Sequence, residues 1–400
     1  MRVTKRAPSR PREGVRLARR VAEIEPFHVM ALLARARELE AQGRSIVHME
    51  IGEPDFPTPE PILRAGLKAL QKGELFYSPA CGLPQLREAI AGYYRTRYGV
   101  ELPPSRILVT TGASAALLLA CAALVDPGDE VLLADPGYPA NRHFVRVFEG
   151  VPRPVPVDAG SGYQLAPDHL ERHWGARTAA ALVASPANPT GTLVSTERLA
   201  GMAEFARERG GALIVDEIYH GLVYEGDYTT AAALADDVFV INSFSKYFNM
   251  TGWRLGWMVA PERAVGEIDK LAQNLYLAAP TPAQLAALAA FEPETLAILE
   301  DRRREFQARR DYLVPALRGL GFEIPVMPQG AFYIYAGCGR LTRDSFGFAR
   351  DLLEQAGVAI TPGVDFGANA PERHVRFAYT SSIERLREGV SRIAAFLKTS

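Results

Sequence analysis

Lys246 lies in the run Asn242-Ser243-Phe244-Ser245-Lys246-Tyr247-Phe248-Asn249-Met250-Thr251-Gly252-Trp253-Arg254-Leu255-Gly256, just past a strand-like apolar stretch and eight residues before an arginine. A lysine held partly out of water near another cation has its charged form disfavoured, which exposes the free amine that attacks an aldehyde. Taken alone, a lysine after a strand is ordinarily a solvated loop residue, so the neighbours decide. Asp216 closes the apolar run Ala212–Val215, and a carboxylate so placed is poorly solvated and needs a cationic partner. Gly112-Ala113-Ser114 falls between a strand pattern and a helix pattern, where free backbone amides and the helix dipole favour an anion. Arg376, followed by Phe377 in a strand pattern, is a guanidinium in apolar surroundings, costly unless it meets a carboxylate. Four chemistries are on offer: an amine nucleophile, a buried acid, an anion cradle and a carboxylate receptor.

The elements that must position them follow from hydrophobic periodicity. Between about residues 51 and 280, short Val-, Ile- and Leu-rich runs alternate with helical patterns, the signature of an α/β fold with a mostly parallel sheet covered by helices. Strands are expected at Ile107–Thr111, Glu130–Asp135, Ala180–Ser185, Ala212–Glu217, Val238–Ser243 and Leu255–Ala260, and helices at Ser114–Val125 and Thr196–Arg209. After Pro280 the character becomes that of a smaller α+β module. It has a long charged helix at Glu294–Leu320, strands at Ala331–Tyr335 and His374–Tyr379, a helix around Phe346–Gln355 and a last helix from Ile383. Val21–Gln42 reads as helical and is expected to pack with that C-terminal module.

Length and composition bound the function classes. A chain of 400 residues suits one large and one small domain. With 48% hydrophobic and 23% charged residues and a net charge of -1, it has no field to gather nucleic acid or anionic membrane. No stretch is long and apolar enough to cross a bilayer. Cys81, Cys121 and Cys338 are scattered without a CxxC pair, so a disulfide framework or zinc site is not expected and a reducing, cytoplasmic setting is. Residues 1–20 carry eight Lys and Arg against the single acid Glu13 and read as a solvated basic arm. His169 and His173 stand four apart on a helix pattern but lack a third ligand, and no metal site is expected.

The run Ser243–Gly256 resembles the cofactor-lysine signature of class I/II aminotransferases, pyridoxal-phosphate enzymes of fold type I. Four motifs in matching order agree: Tyr77-Ser78-Pro79-Ala80-Cys81-Gly82-Leu83-Pro84-Gln85-Leu86-Arg87, Thr111-Gly112-Ala113-Ser114, Ser185-Pro186-Ala187-Asn188-Pro189-Thr190-Gly191 and Val215-Asp216-Glu217-Ile218-Tyr219. Val375-Arg376-Phe377-Ala378 is a fifth, and the likeness spans roughly residues 46 to 395. The resemblance implies that Lys246 carries pyridoxal 5′-phosphate as a Schiff base. By the same likeness Gly112, Ala113, Ser114, Ser243 and Arg254 hold its phosphate, and Asp216 keeps the ring nitrogen protonated. It further implies that Asn188 and Tyr219 bond the phenolic oxygen and that Tyr138 stacks on the ring. Gly52, Asn188 and Arg376 would receive the substrate α-carboxylate. Tyr77 would reach the neighbouring subunit's phosphate, making a homodimer with shared sites.

The implied activity is ping-pong transfer of an amino group between an L-amino acid and a 2-oxo acid. Some dicarboxylate-specific relatives have a lysine where this chain has Ser114, which inclines the donor towards a neutral or aromatic amino acid. The implied layout is 51–285 as the cofactor-binding domain and 286–400 as the small domain, with 21–50 packed on the latter. Carbon–sulfur lyases share much of this constellation, and a protein that binds the cofactor without catalysis is a further alternative. A serine hydrolase is suggested by Gly112-Ala113-Ser114-Ala115-Ala116 and Ser243-Phe244-Ser245-Lys246, but the first lacks the elbow's last glycine and the second its companion motifs.

Overall fold

The computed structural model describes residues 15–399, so residues 1–14 of the expected basic arm lie outside the described residues. Along the chain the strands are β1 (Val47–His48), β2 (Ile107–Thr110), β3 (Glu130–Asp135), β4 (Val151–Pro156), β5 (Thr178–Ala184), β6 (Ala212–Asp216), β7 (Phe239–Ser243), β8 (Gly256–Val259), β9 (Tyr333–Gly337), β10 (Val358–Ala359), β11 (Thr361–Pro362) and β12 (His374–Ala378). Seven of them form the central sheet in the order β2-β8-β7-β6-β5-β3-β4. β8 runs antiparallel to both its neighbours, and the pairs from β7 through β4 are parallel.

Both faces of this sheet are covered, which is why its strands read as unbroken apolar runs. Leu108, Leu133, Leu182, Ile214, Ile241 and Met258 point to one face and pack with the helix Ala113–Leu124. Their alternates Val109, Leu132, Val183, Val215, Val240 and Val259 pack on the other face with Leu199 and Met202 of the helix Thr196–Glu208. Each such side chain contributes about 1.5–3 kcal/mol by leaving water. The expected strands agree to within two residues. β4 is an addition: Val-Pro-Arg-Pro-Val-Pro has three prolines that cannot donate to a ladder, and it is tolerated because β4 is an edge strand bonded only to β3.

The C-terminal residues build a second, antiparallel sheet in the order β11-β12-β9, flanked by the helices Pro293–Gly319, Ser345–Asp351 and Ile383–Thr399. The strand expected at Ala331–Tyr335 starts two residues later because Ala331 takes a left-handed φ of 58° in a turn. β1 pairs with β10, and the Ala378 amide donates to the Met49 carbonyl at 2.7 Å, so residues 47–49 belong with these C-terminal elements. The helix expected from Val21 begins only at His28, past Pro26, and a short exposed 3-10 turn occupies Arg19–Glu23. Asp365 satisfies the helix's first amides, accepting from His28 N at 2.7 Å and Val29 N at 2.8 Å. From β1 the chain crosses to the C-terminal edge of the central sheet, the edge where α/β folds place their ligands.

Candidate active site

The carboxyl ends of β5, β6 and β7 deliver Asn188, Asp216, Tyr219 and Lys246 to one cavity of about 230 Å3. Ala113, Ser114, Tyr138, Gly52 and Arg376 line it too. Of the residues singled out from the sequence, Gly112, Ser243, Arg254 and Tyr77 are not in its lining. Gly112 and Arg254 adjoin each other, since a Cβ on Gly112 would lie 2.8 Å from Arg254 Nη2. Ser243 is buried, its hydroxyl donating to Leu255 O at 3.2 Å and standing 3.0 Å from Ser245 Oγ. Tyr77 is 86% exposed on the outside of the chain.

Lys246 donates from Nζ to the Gly52 carbonyl at 2.6 Å and lies 5.9 Å from the centre of the Tyr219 ring. Burial brings its ammonium down to about 8, with Arg376 and Arg254 adding to the effect while Glu53 and Asp216 oppose it. The amine is therefore available as a base and nucleophile near neutral pH. Asp216 is buried at the end of β6, and its carboxylate accepts from Ile218 N at 3.1 Å. Burial pushes its carboxyl up to about 6 against the pull of the Ile218 amide and Lys246. An acid in that state gains most from a cationic N–H partner. Next along, Glu217 is pinned by Ala231 N at 2.7 Å and Thr230 Oγ1 at 2.8 Å, which fixes the turn carrying Asp216 and Tyr219.

The helix Ala113–Leu124 opens without a side-chain cap and with no acid in its first turn. Gly112 precedes it at φ 83° and ψ 168°, a region that side chains rarely adopt, and the absence of a Cβ leaves room for the Arg254 guanidinium beside it. Unspent amides, a helix dipole and a guanidinium at one point suit a phosphate. Cradle, amine and buried acid together fit a phosphate-bearing pyridine aldehyde.

Arg376 is 5% exposed, and its hydrogen bonds all go to neutral oxygens: Nη1 to Asn188 Oδ1 at 2.9 Å, and Nη2 to Thr361 Oγ1 at 3.1 Å and the Glu50 carbonyl. Nε has no partner among the described residues. The guanidinium lies over the rings of Tyr333 and Phe366, at 4.4 and 4.9 Å, so a planar cation is presented ready for a carboxylate. Asn188 accepts from Arg376 through Oδ1 and lines the same cavity.

Three contributors had no motif to reveal them. Tyr333 lies 2.8 Å from the Tyr219 hydroxyl and also fills the space a Cβ on Gly52 would take. Glu50 is fully buried and accepts from His48 Nδ1 at 2.7 Å, an interaction that raises the imidazole to about 9. Thr361 is the third, and it meets Arg376 only through tertiary structure. The apolar wall is made by Phe27, Val29 and Met30 of the N-terminal segment together with Ile51 and Leu117. The glycine at 52, followed by Glu-Pro, was the one available signal of close approach here.

Known proteins share this fold. The sequence model of the aminotransferase class I and II family matches residues 44–393, and the chain belongs to that family. It is 38% identical, over 95% of its length and 99% of the relative's, to a (5-formylfuran-3-yl)methyl phosphate transaminase of Methanocaldococcus jannaschii. It is 37% identical, over 94% and 97%, to a valine–pyruvate aminotransferase of Mycobacterium tuberculosis. The solved structure of an aminotransferase from Mycobacterium tuberculosis superposes with a TM-score of 0.93 at 36% identity, covering 97% of this chain and all of that one. Aspartate aminotransferase from Thermus thermophilus with maleate gives 0.90 at 36% identity, over 96% and 100%. The chain is an enzyme of amino-group transfer, in a family that works with pyridoxal phosphate.

Proposed function

We propose that this chain binds pyridoxal 5′-phosphate at Lys246 and moves an amino group between a neutral or aromatic L-amino acid and a 2-oxo acid. The observation that carries the reading is a buried, deprotonation-prone Lys246 amine in one cavity with a buried acid, Asp216, and a guanidinium, Arg376, whose partners are all neutral. When bound, the cofactor supplies an aldehyde for the amine and a ring that accepts the electron pair left at the substrate α-carbon. Gly112, Ala113, Ser114, Ser243 and Arg254 would hold its phosphate, and Asp216 would keep a proton on its ring nitrogen. Asn188 and Tyr219 would donate to its phenolic oxygen, and Tyr138 would pack against its ring. Arg376 and Asn188, beside the Gly52 backbone, orient the substrate carboxylate. Lys246 Nζ would be the base that takes the substrate α-proton.

Phe27, Val29, Met30, Ile51 and Leu117 on the wall, and Ser114 in place of a cation, support an apolar side chain on the donor. Residues 51–285 act as the cofactor-binding domain and 286–400, joined by 21–50, as the small domain. The exposed apolar residues Leu67, Leu70, Phe76 and Tyr77 support a homodimer in which Tyr77 serves the partner's site. A cytoplasmic enzyme is the matching setting.

The test is borohydride reduction of the yellow holoenzyme followed by peptide mass analysis. Mass added at Lys246, and loss of both colour and turnover in a folded Lys246→Ala variant, are the expected results. A cofactor that binds while Lys246 stays unmodified, or a Lys246→Ala protein that transaminates like the wild type, would refute the assignment.

A further inference from the structure

The consecutive carbonyls of residues 48 to 52 are each held by a group from elsewhere in the chain. His48 O accepts from Ser381 Oγ at 2.9 Å, Met49 O from Ala378 N at 2.7 Å and Ile51 O from Thr380 Oγ1 at 2.8 Å. Glu50 O accepts from Thr361 Oγ1 at 3.1 Å and from Arg376 Nη2, and Gly52 O accepts from Lys246 Nζ. The segment is thereby fixed against both the lysine and the guanidinium of the site, and it brings a charge to the same place. Glu50 is fully buried and lines the cavity together with Arg376. A carboxylate there opposes a substrate carboxylate unless a cation neutralises it.

His48 supplies that cation. Its Nδ1 lies 2.7 Å from Glu50 Oε1, and its Nε2 lies 3.1 Å from Glu40 Oε1 on the helix His28–Ala41. An imidazole donates to two carboxylates only when both nitrogens carry protons, so the arrangement selects the charged ring. The bond to Glu50 raises the ring to about 9, against the effect of burial and with help from Glu40. Of the other elements packed here, β10 places Ala359 opposite His48, and the last helix brings Arg385, whose guanidinium goes to the Ile46 carbonyl and Glu388. Glu50 Oε2 has no partner among the described residues, and Arg376 bonds the Glu50 carbonyl rather than its carboxylate.

We propose that His48 is a positioning residue that acts through Glu50: protonated, it neutralises the buried carboxylate and steadies the 50 carbonyl, and so governs how tightly Arg376 receives a substrate carboxylate. The inference rests on the reading of Arg376 as that receptor. With the ring charged, an incoming carboxylate meets an uncancelled guanidinium; with the ring neutral, Glu50 offsets it. Affinity for carboxylates is therefore full below about pH 8 and falls as the pH rises through about 9.

Titration calorimetry of the holoenzyme with butyrate, an unreactive carboxylate that keeps one charge from about pH 7 to 10, tests this. Near neutral pH, His48→Gln should bind butyrate about tenfold more weakly than wild type. The two proteins should converge by about pH 10, because every other titrating group is common to both and cancels in the ratio. In a Glu50→Gln background the same His48→Gln change should alter binding by less than about twofold, since no carboxylate remains to be neutralised. In steady-state assays with a neutral amino acid, His48→Gln should raise KM by about tenfold and leave kcat within about twofold. Unchanged butyrate binding, a weakening that is the same at every pH, an equal weakening in the Glu50→Gln background, or a fall in kcat as large as the rise in KM would overturn the proposal. A merely structural His48 would act at any pH and whatever residue stands at 50. Arg376→Lys separates this proposal from the reading beneath it. If that variant binds butyrate like the wild type, the receptor assignment falls and the proposal with it; if it binds weakly while His48→Gln does not, the proposal alone falls.

Discussion

Replacing Gly52 by alanine tests the site's packing most directly. The added Cβ would lie 1.9 Å from the Tyr333 hydroxyl oxygen and 2.9 Å from Cζ, so one partner must move. Tyr333 has little freedom, being 1% exposed with the Phe332 ring at 4.9 Å, the Tyr219 ring at 5.6 Å and Arg376 stacked at 4.4 Å. Overpacking of this kind costs about 1–3 kcal/mol. Displacing the hydroxyl also breaks its 2.8 Å contact with Tyr219, and moving the 52 carbonyl instead releases Lys246 Nζ. Either loss is worth about 1–3 kcal/mol at a buried site, and about 1.4 kcal/mol is a factor of ten in rate. Gly52→Ala should therefore lower the unfolding free energy by about 1–3 kcal/mol in urea titration and kcat/KM for a neutral amino acid by about tenfold to a hundredfold. Tyr333→Phe removes the worst contact, so in a Gly52→Ala/Tyr333→Phe double variant the stability loss should fall short of the sum of the singles by at least about 1 kcal/mol. Additivity of the singles to within about 0.5 kcal/mol would show that the clash is relieved elsewhere and that this account of the loop is wrong.

Other substitutions probe the remaining parts. Raising Asp216 from 3.8 to about 6 corresponds to about 3 kcal/mol. The folded, cofactor-free protein holds that proton more tightly than the unfolded chain, so the penalty is absent below about pH 4, grows through pH 4 to 6 and is complete above. Asp216→Asn should thus be more stable than wild type at pH 7 in the cofactor-free state, with the difference vanishing at pH 4, while transamination collapses; a pH-independent difference would mean the carboxyl is not strained by burial. Arg376→Lys keeps the charge but loses the fork and the stacking on Tyr333 and Phe366, and should raise KM for amino acids by about tenfold to a hundredfold in steady-state assays. Mixing Tyr77→Ala chains with Lys246→Ala chains should restore activity that neither has alone, because one site of the mixed dimer would hold both wild-type residues; no recovery after verified chain exchange would remove the shared-site proposal.

The sequence by itself determined the class of fold and the main chemical groups. Buried strands covered on both sides must be continuously apolar, so β2, β3 and β5 to β8 were legible as runs. The strand–glycine–helix junction at 112 and the strand-end acid at 216 were legible because local backbone geometry demands those residue types. Periodicity said nothing of β4, whose prolines are acceptable only at an edge, or of where Pro26 would delay the first helix. What the tertiary structure alone decided were contacts between residues far apart in the chain. Tyr333 presses on Gly52, Thr361 and Glu50 hold Arg376, and Asp365 caps the helix at His28. Such pairings leave no local pattern, since each depends on how two separately folded pieces of chain are brought together rather than on the spacing within either.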